Sequence, residues 1–292
     1  MNSPACRKEL ITAAEIEDLN RQFDHKSPLE LLEWAARRFA DRIAVCSAFG
    51  PEGMVLLHLV SQLEVPIRVF TLDTGRLPSE THELMMRCEE RYGISIEVYA
   101  PDPLDLHEMI RRHGINLFHK SVALRELCCE VRKVRPLIRA LDSLLAWVTG
   151  LRRSQAATRS EIARIEIDSG HHAMVKLNPL AGWSEEQVWD YLNRHELPYN
   201  ALHDRGYRSI GCACCTRPTN PGEDIRAGRW WWEKNSNKEC GLHIRRVHQG
   251  QISAPNLDAS AVHAETPATS RNGPYVRPSA RQTIGDSERH RK

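Results

Sequence analysis

Between Ser27 and Leu192 the apolar positions change period repeatedly, and each change marks the edge of an element. Ser27-Pro28-Leu29-Glu30 is a helix start: Ser27 can cap, Pro28 suits the first helical position, and Glu30 can close a capping box. Leu32, Ala36 and Phe39 then recur at helical spacing. Ile43 to Cys46 reads as a short apolar strand, followed by the turn Ser47 to Gly53 and an apolar helix from Met54 to Val60. Ile67 to Leu72 is a second strand and ends at Asp73-Thr74-Gly75. Helix Ser79 to Tyr92, strand Ile94 to Tyr99 and helix Leu104 to Arg112 follow. A longer helix interrupted by Pro136 carries Cys128 and Cys129, and Leu144 to Thr149 is another strand. Ile162 to Leu177 suits a hairpin turning at Asp168-Ser169-Gly170. Ser184 caps a last helix that turns Val188 and Leu192 inward.

This alternation predicts an α/β fold, a parallel sheet flanked by helices on both faces. Residues 1–26 read as an N-terminal arm, and 27–243 as the folded domain. Residues 244–292, rich in Ser, Pro, Ala, Arg and Asn without an apolar period, read as a disordered tail.

Composition narrows the classes. A formal net charge of +2 over 292 residues is too small to argue for a nucleic-acid partner. No apolar run approaches the roughly 20 residues of a membrane span, and no secretory signal is evident, so a cytoplasmic location is expected. The cysteine count, nine, is odd and argues against a disulfide framework; five of the nine fall in two tight clusters.

Three loops follow three strands, where ligands of an open parallel sheet bind. Ser47 to Gly53 offers a hydroxyl, glycines and a following helix N-terminus, all suited to phosphate. Asp73-Thr74-Gly75 can face a ribose or base, and Arg152-Arg153 can clamp an oxyanion. Cys128-Cys129 lies about eighty residues before Cys212-Ala213-Cys214-Cys215. Four thiolates can bind zinc or an iron–sulfur cluster; adjacent cysteines suit a larger cluster better than one tetrahedral ion. Spacing favours Cys212 with Cys215, while Cys214 could replace Cys215 or be an inert neighbour. Arg132, Lys133 and Arg135 follow the first pair, and Arg217, Arg226 and Arg229 the second; these cations offset cluster charge and attract an anionic substrate. Cys240, in Glu239-Cys240-Gly241-Leu242-His243, is a candidate nucleophile.

Together the stretches SAFGPEGMVLLHL, TLDTGRLPSET, ELCCEVRKVRPL, TGLRRSQAATR, SIGCACCTRPT and KECGLH resemble the assimilatory sulfonucleotide reductases, in the branch that acts on adenosine 5'-phosphosulfate (APS). The resemblance implies an adenine-nucleotide α-hydrolase-like fold. It implies one [4Fe-4S] cluster per subunit on Cys128, Cys129, Cys212 and Cys215, with Cys240 as nucleophile. It also implies a phosphate loop containing Ser47, Phe49 and Gly50. Lys133, Arg226, Arg229 and His243 match the phosphosulfate pocket, with Arg152 or Arg153 in the arginine loop. Thioredoxin is the implied electron donor; a homo-oligomer is left open. Two departures stand out: Cys214 occupies a position where the family often has Pro, and 49 residues follow His243 (292 − 243). Three rival readings share some of these features. One is a reductase of the 3'-phosphorylated substrate (PAPS). Another is a tRNA-thiolating ATP pyrophosphatase, whose SGGxDS loop SAFGPEG lacks. The third is a zinc-thiolate nucleic-acid module, disfavoured by the wide separation of the clusters and the small charge.

Overall fold

The computed structural model describes residues 11–171, 173–233 and 241–242. Eight α-helices and six strands alternate through the described residues. They are α1 (Ala13–Phe23), α2 (Pro28–Phe39), β1 (Ile43–Cys46), α3 (Pro51–Val60), β2 (Arg68–Leu72), α4 (Ser79–Tyr92) and β3 (Ile96–Tyr99). Then come α5 (Pro103–His113), α6 (Val122–Cys129), α7 (Arg135–Leu141), β4 (Ala146–Val148), β5 (Ile165–Asp168), β6 (Met174–Leu177) and α8 (Glu185–Arg194).

Six strands form one sheet in the order β3-β2-β1-β4-β6-β5. All neighbours pair in parallel except the edge hairpin β5–β6, which is antiparallel. Strand alternation builds two cores. Ile43, Val45, Val69, Ala146 and Val148 face the core shared by α1, α2, α3, α4 and α8. Ala44, Phe70 and Trp147 face the opposite core, with Leu137, Ala140 and Leu141 of α7. Strands buried on both faces must be apolar at nearly every position, as these are.

Local chemistry sets the helix ends. Ser27 and Glu30 close the expected capping box on α2, and Ser184 forms one with Gln187 on α8. Residues 1–26, expected as an arm, contain α1, which Thr12 and Glu15 cap in the same way. Ile16 and Phe23 of α1 are buried, and the Asn20 amide bonds both the carbonyl and the N–H of Ile165, covering the exposed edge of β5.

The helix expected around Pro136 is split. Between α6 and α7, Glu130–Val134 form a π turn in which the Arg135 N–H reaches back to the Glu130 carbonyl. Proline lacks an N–H and its ring clashes with the carbonyl four residues back in a regular helix. A widened turn just before Pro136 relieves that clash, and such turns recur at functional sites.

The order of the strands reverses between the parallel neighbours β1 and β4: β1, β2 and β3 succeed one another toward one edge, and β4, β6 and β5 lie toward the other. That switch point opens a crevice at the strand C-terminal ends, where open α/β sheets bind ligands.

Candidate active site

A cavity of about 270 Å³ fills this crevice. Cys46 at the end of β1, Ser47 and Gly50 beyond it, Thr74 after β2, and Thr149 and Gly150 after β4 line it. Ser47 is buried and its Oγ accepts the Phe49 N–H at 3.2 Å, folding the loop back toward α3. Phe49 itself is buried with a positive φ of 55°, a strained conformation for a side-chain-bearing residue. Gly50 precedes α3 without any side-chain cap, so the first-turn N–H groups of α3 are not consumed by one. A helix start left this way is suited to an anion. A Cβ on Gly53 would lie 2.7 Å from Ser47 Oγ, so only glycine leaves the hydroxyl where it is.

The charge lining this cavity is lopsided. Among the described residues, Lys133, Arg159, Arg208, Arg226 and Arg229 face it against one carboxylate, Glu52. Glu52 is itself tied to Arg152 Nε at 2.7 Å. The Arg229 Nε is buried with no hydrogen-bond partner, and its guanidinium lies over the Trp230 ring at 4.9 Å. Gly211 makes room for it: a Cβ there would lie 2.2 Å from Arg229 Nη2. His203 also lines the cavity, with Nε2 unpartnered; burial lowers its pKa.

A second cavity adjoins the first, and Lys133 and Cys212 line both. Its wall contains Cys128 and Cys129 from the end of α6 and Cys212, Cys214 and Cys215 from a single tight turn. All five thiols are unpaired by disulfides, and four of them are buried. Thr74 Oγ1 lies 3.3 Å from Cys212 Sγ, and Arg76 Nη1 donates to Cys214 Sγ at 3.5 Å. Cys214 and Cys215 sulfurs are 3.8 Å apart. The Cys215 thiol, with Arg76 in support, brings Cys214 down to about 6, while Cys215 is pushed up by the bond it gives and by burial. Burial likewise raises Cys128. Two buried donors on this wall, Arg132 Nε and Trp230 Nε1, lack partners. Among the described residues no three His, Cys, Asp or Glu side chains are placed to hold a single metal ion.

The residues expected at the site divide into three groups. Ser47, Gly50, Lys133, Arg226 and Arg229 line the nucleotide-sized cavity, and the four expected cysteines line the second. Phe49 supports the loop from the core, and neither Arg152 nor Arg153 is on the cavity wall. Arg152 is spent on Glu52, Ser154 and the Trp183 carbonyl, and Arg153 Nε donates to the Ile162 carbonyl. Cys240 and His243 lie outside the described residues, as does the 244–292 tail. Leu242, two positions after Cys240, lines the first cavity. Asp73 caps Gly75 and pairs with His82. Arg135 pairs with Asp105 and Arg217 with Glu223. Sequence reasoning missed Arg159, Arg208 and His203, which also line the cavity; Arg159 closes the stretch TGLRRSQAATR, where Arg152 and Arg153 drew the expectation instead.

A mostly parallel α/β sheet with an anion-suited crevice at its switch point and a thiol-lined cavity beside it defines a nucleotide-binding α/β protein of the adenine-nucleotide α-hydrolase-like class. Residues 42–218 match the phosphoadenosine phosphosulfate reductase domain model, and the chain belongs to that sulfonucleotide reductase family. It is similar to the adenosine 5'-phosphosulfate reductase of Allochromatium vinosum, 50% identical over 77% of this chain and 88% of that protein. The protein of the same name from Burkholderia cepacia is 48% identical over 76% of this chain and 88% of its own. Among solved structures, the phosphoadenylyl-sulfate (PAPS) reductase of Candida auris in its phosphate complex superposes with a TM-score of 0.61. It is 30% identical and covers 69% of this chain and 96% of its own. No helix among the described residues is long and apolar enough to cross a membrane.

Proposed function

We propose that this protein reduces APS to sulfite and AMP, in assimilatory sulfate reduction, with Cys240 as nucleophile and thioredoxin as electron donor. The observation that carries the reading is the shared wall: Lys133 and Cys212 face both the anion-suited cavity and the thiol cavity. The first cavity offers the phosphosulfate a start of α3 without a side-chain cap and a buried Arg229 donor.

The thiol cavity supports a [4Fe-4S] cluster on Cys128, Cys129, Cys212 and Cys215. One tetrahedral ion takes all its thiolates at a single centre on bonds of about 2.3 Å, which the adjacent Cys128 and Cys129 suit poorly. A cubane takes each thiolate at its own corner, and its sulfides accept hydrogen bonds. The partnerless Arg132 and Trp230 donors suit such a group. When bound, the cluster would tune the charge and order of the shared wall.

In the proposed reaction, the Cys240 thiolate attacks the sulfur of the phosphosulfate. The S–O bond breaks and AMP carries away the bonding pair, leaving an S-sulfocysteine. One thioredoxin thiolate then attacks the Cys240 sulfur, sulfite leaves, and the second thioredoxin thiol resolves the mixed disulfide. Both first-step reactants are anionic, so Lys133, Arg226 and Arg229 offset their repulsion.

A second reading, PAPS reduction, draws on the likeness to the Candida auris enzyme. The cavity of clustered thiols favours APS. Anaerobic purification followed by sulfite release with each nucleotide and thioredoxin decides between them. Sulfite from APS, with no covalent adduct in Cys240→Ser, is the expected outcome; unchanged turnover in that variant refutes the role of Cys240.

A further inference from the structure

The thiol cavity contains one sulfur more than a four-iron cluster needs. The geometry points to Cys214 as a reserve ligand that takes the corner of Cys215 when that side chain is lost. The inference rests on the cluster reading above and deepens it.

Three observations carry it. Cys214 Sγ is on the same cavity wall as Cys128, Cys129, Cys212 and Cys215. It sits 3.8 Å from Cys215 Sγ, so an exchange requires side-chain rotation within one turn, with no shift of a remote segment. The turn itself is fixed from both sides. The Ala213 N–H donates to the Arg76 carbonyl, the Cys215 N–H to the Cys212 carbonyl, and the Trp230 N–H to the Cys215 carbonyl. The backbone that presents Cys214 therefore does not depend on the Cys215 thiol.

Arg76 explains why Cys214 is held in reserve. Its guanidinium is anchored on the Ile115 carbonyl and the Asn116 side chain, lies over the Phe118 ring, and donates to Cys214 Sγ. A sulfur so held has a partner other than iron while Cys215 is present.

The test is iron and acid-labile sulfide per chain after anaerobic purification, with circular dichroism as a control for folding. Cys215→Ala is expected to stay brown, with iron near the parental content, whereas Cys128→Ala and the double variant Cys214→Ala/Cys215→Ala lose nearly all of it. Brief treatment of the loaded proteins with iodoacetamide gives an independent readout by mass spectrometry. Cys214 should be alkylated in the parent and protected in Cys215→Ala. If the parent binds iron and Cys215→Ala does not, or if Cys214 is alkylated equally in both, Cys214 is no reserve ligand. If the parent itself binds no iron, the cluster reading fails instead.

Discussion

Arg125 Nε donates to a Glu233 carboxylate oxygen at 3.0 Å, with side-chain exposures of 1% and 3%. This pair ties α6, which ends in Cys128 and Cys129, to the segment that follows Arg229 and Trp230. The Arg125 guanidinium also covers the Trp230 ring at 4.7 Å. Removing one member of a buried pair strands the other charge and costs about 3–5 kcal/mol. Glu233→Ala is therefore expected to lower unfolding free energy by that order in urea titrations. It should also reduce nucleotide affinity, because Arg229 and Trp230 would lose their anchor. A variant with parental stability would show that the pair is not holding these segments together.

Gly53 offers a sharper test of the phosphate loop. An alanine Cβ would meet Ser47 Oγ, which in turn holds the Phe49 N–H. Gly53→Ala should raise the KM for APS by about tenfold, equivalent to roughly 1.4 kcal/mol. Loss of Tm should be small, since alanine is a better helix former than glycine. Ser47→Ala in the same background should add little further, because both changes remove one hydroxyl from one place. Additive effects would mean that Ser47 acts independently of Gly53.

What the sequence disclosed, it disclosed through local signals. Ser27 with Glu30, and Ser184, mark their helix starts within four residues, and the apolar strands appear where expected. Helix α1 is equally legible, in the Thr12–Glu15 capping box and the helical spacing of Ile16 and Phe23. The π turn at Glu130–Val134 had one clue, Pro136. Arg152 shows where local reading stops. A pair of arginines after a strand suits an oxyanion, but its true partner Glu52 is a hundred residues away. Arg159, Arg208 and His203 likewise reach the cavity only through the folding of loops distant in sequence.

The Arg152–Glu52 pair makes its own prediction. Arg152 neutralises Glu52, the one carboxylate among the described residues of an otherwise cationic wall. Arg152→Met should weaken APS binding by exposing the ligand to that carboxylate, with a KM rise of about tenfold or more. Glu52→Gln/Arg152→Met should recover much of the affinity. If the double variant binds as poorly as the single, Arg152 touches the nucleotide directly, and the sequence expectation for it returns.

Acid should destabilise the fold through two imidazoles. Burial lowers the pKa of His58 and of His203 below the ordinary 6.5, with His195 and Arg91 adding to the effect at His58. The unfolded chain thus binds protons that the folded chain refuses between the folded and unfolded values. Stability rises with pH wherever the unfolded state carries more protons. The contribution is complete above about pH 6.5 and declines as pH falls toward the folded values. Glu30, Glu108 and Glu223 are held at about 2 chiefly by hydrogen bonds from Lys26, Arg111 and Arg217, so their losses begin only below about pH 4.5. The two windows are separable. Urea midpoints measured from pH 8 to pH 5 should fall, and His58→Gln should fall less steeply than the parent. Parallel curves for the two proteins would show that His58 carries no linked proton, and that the decline belongs to other groups.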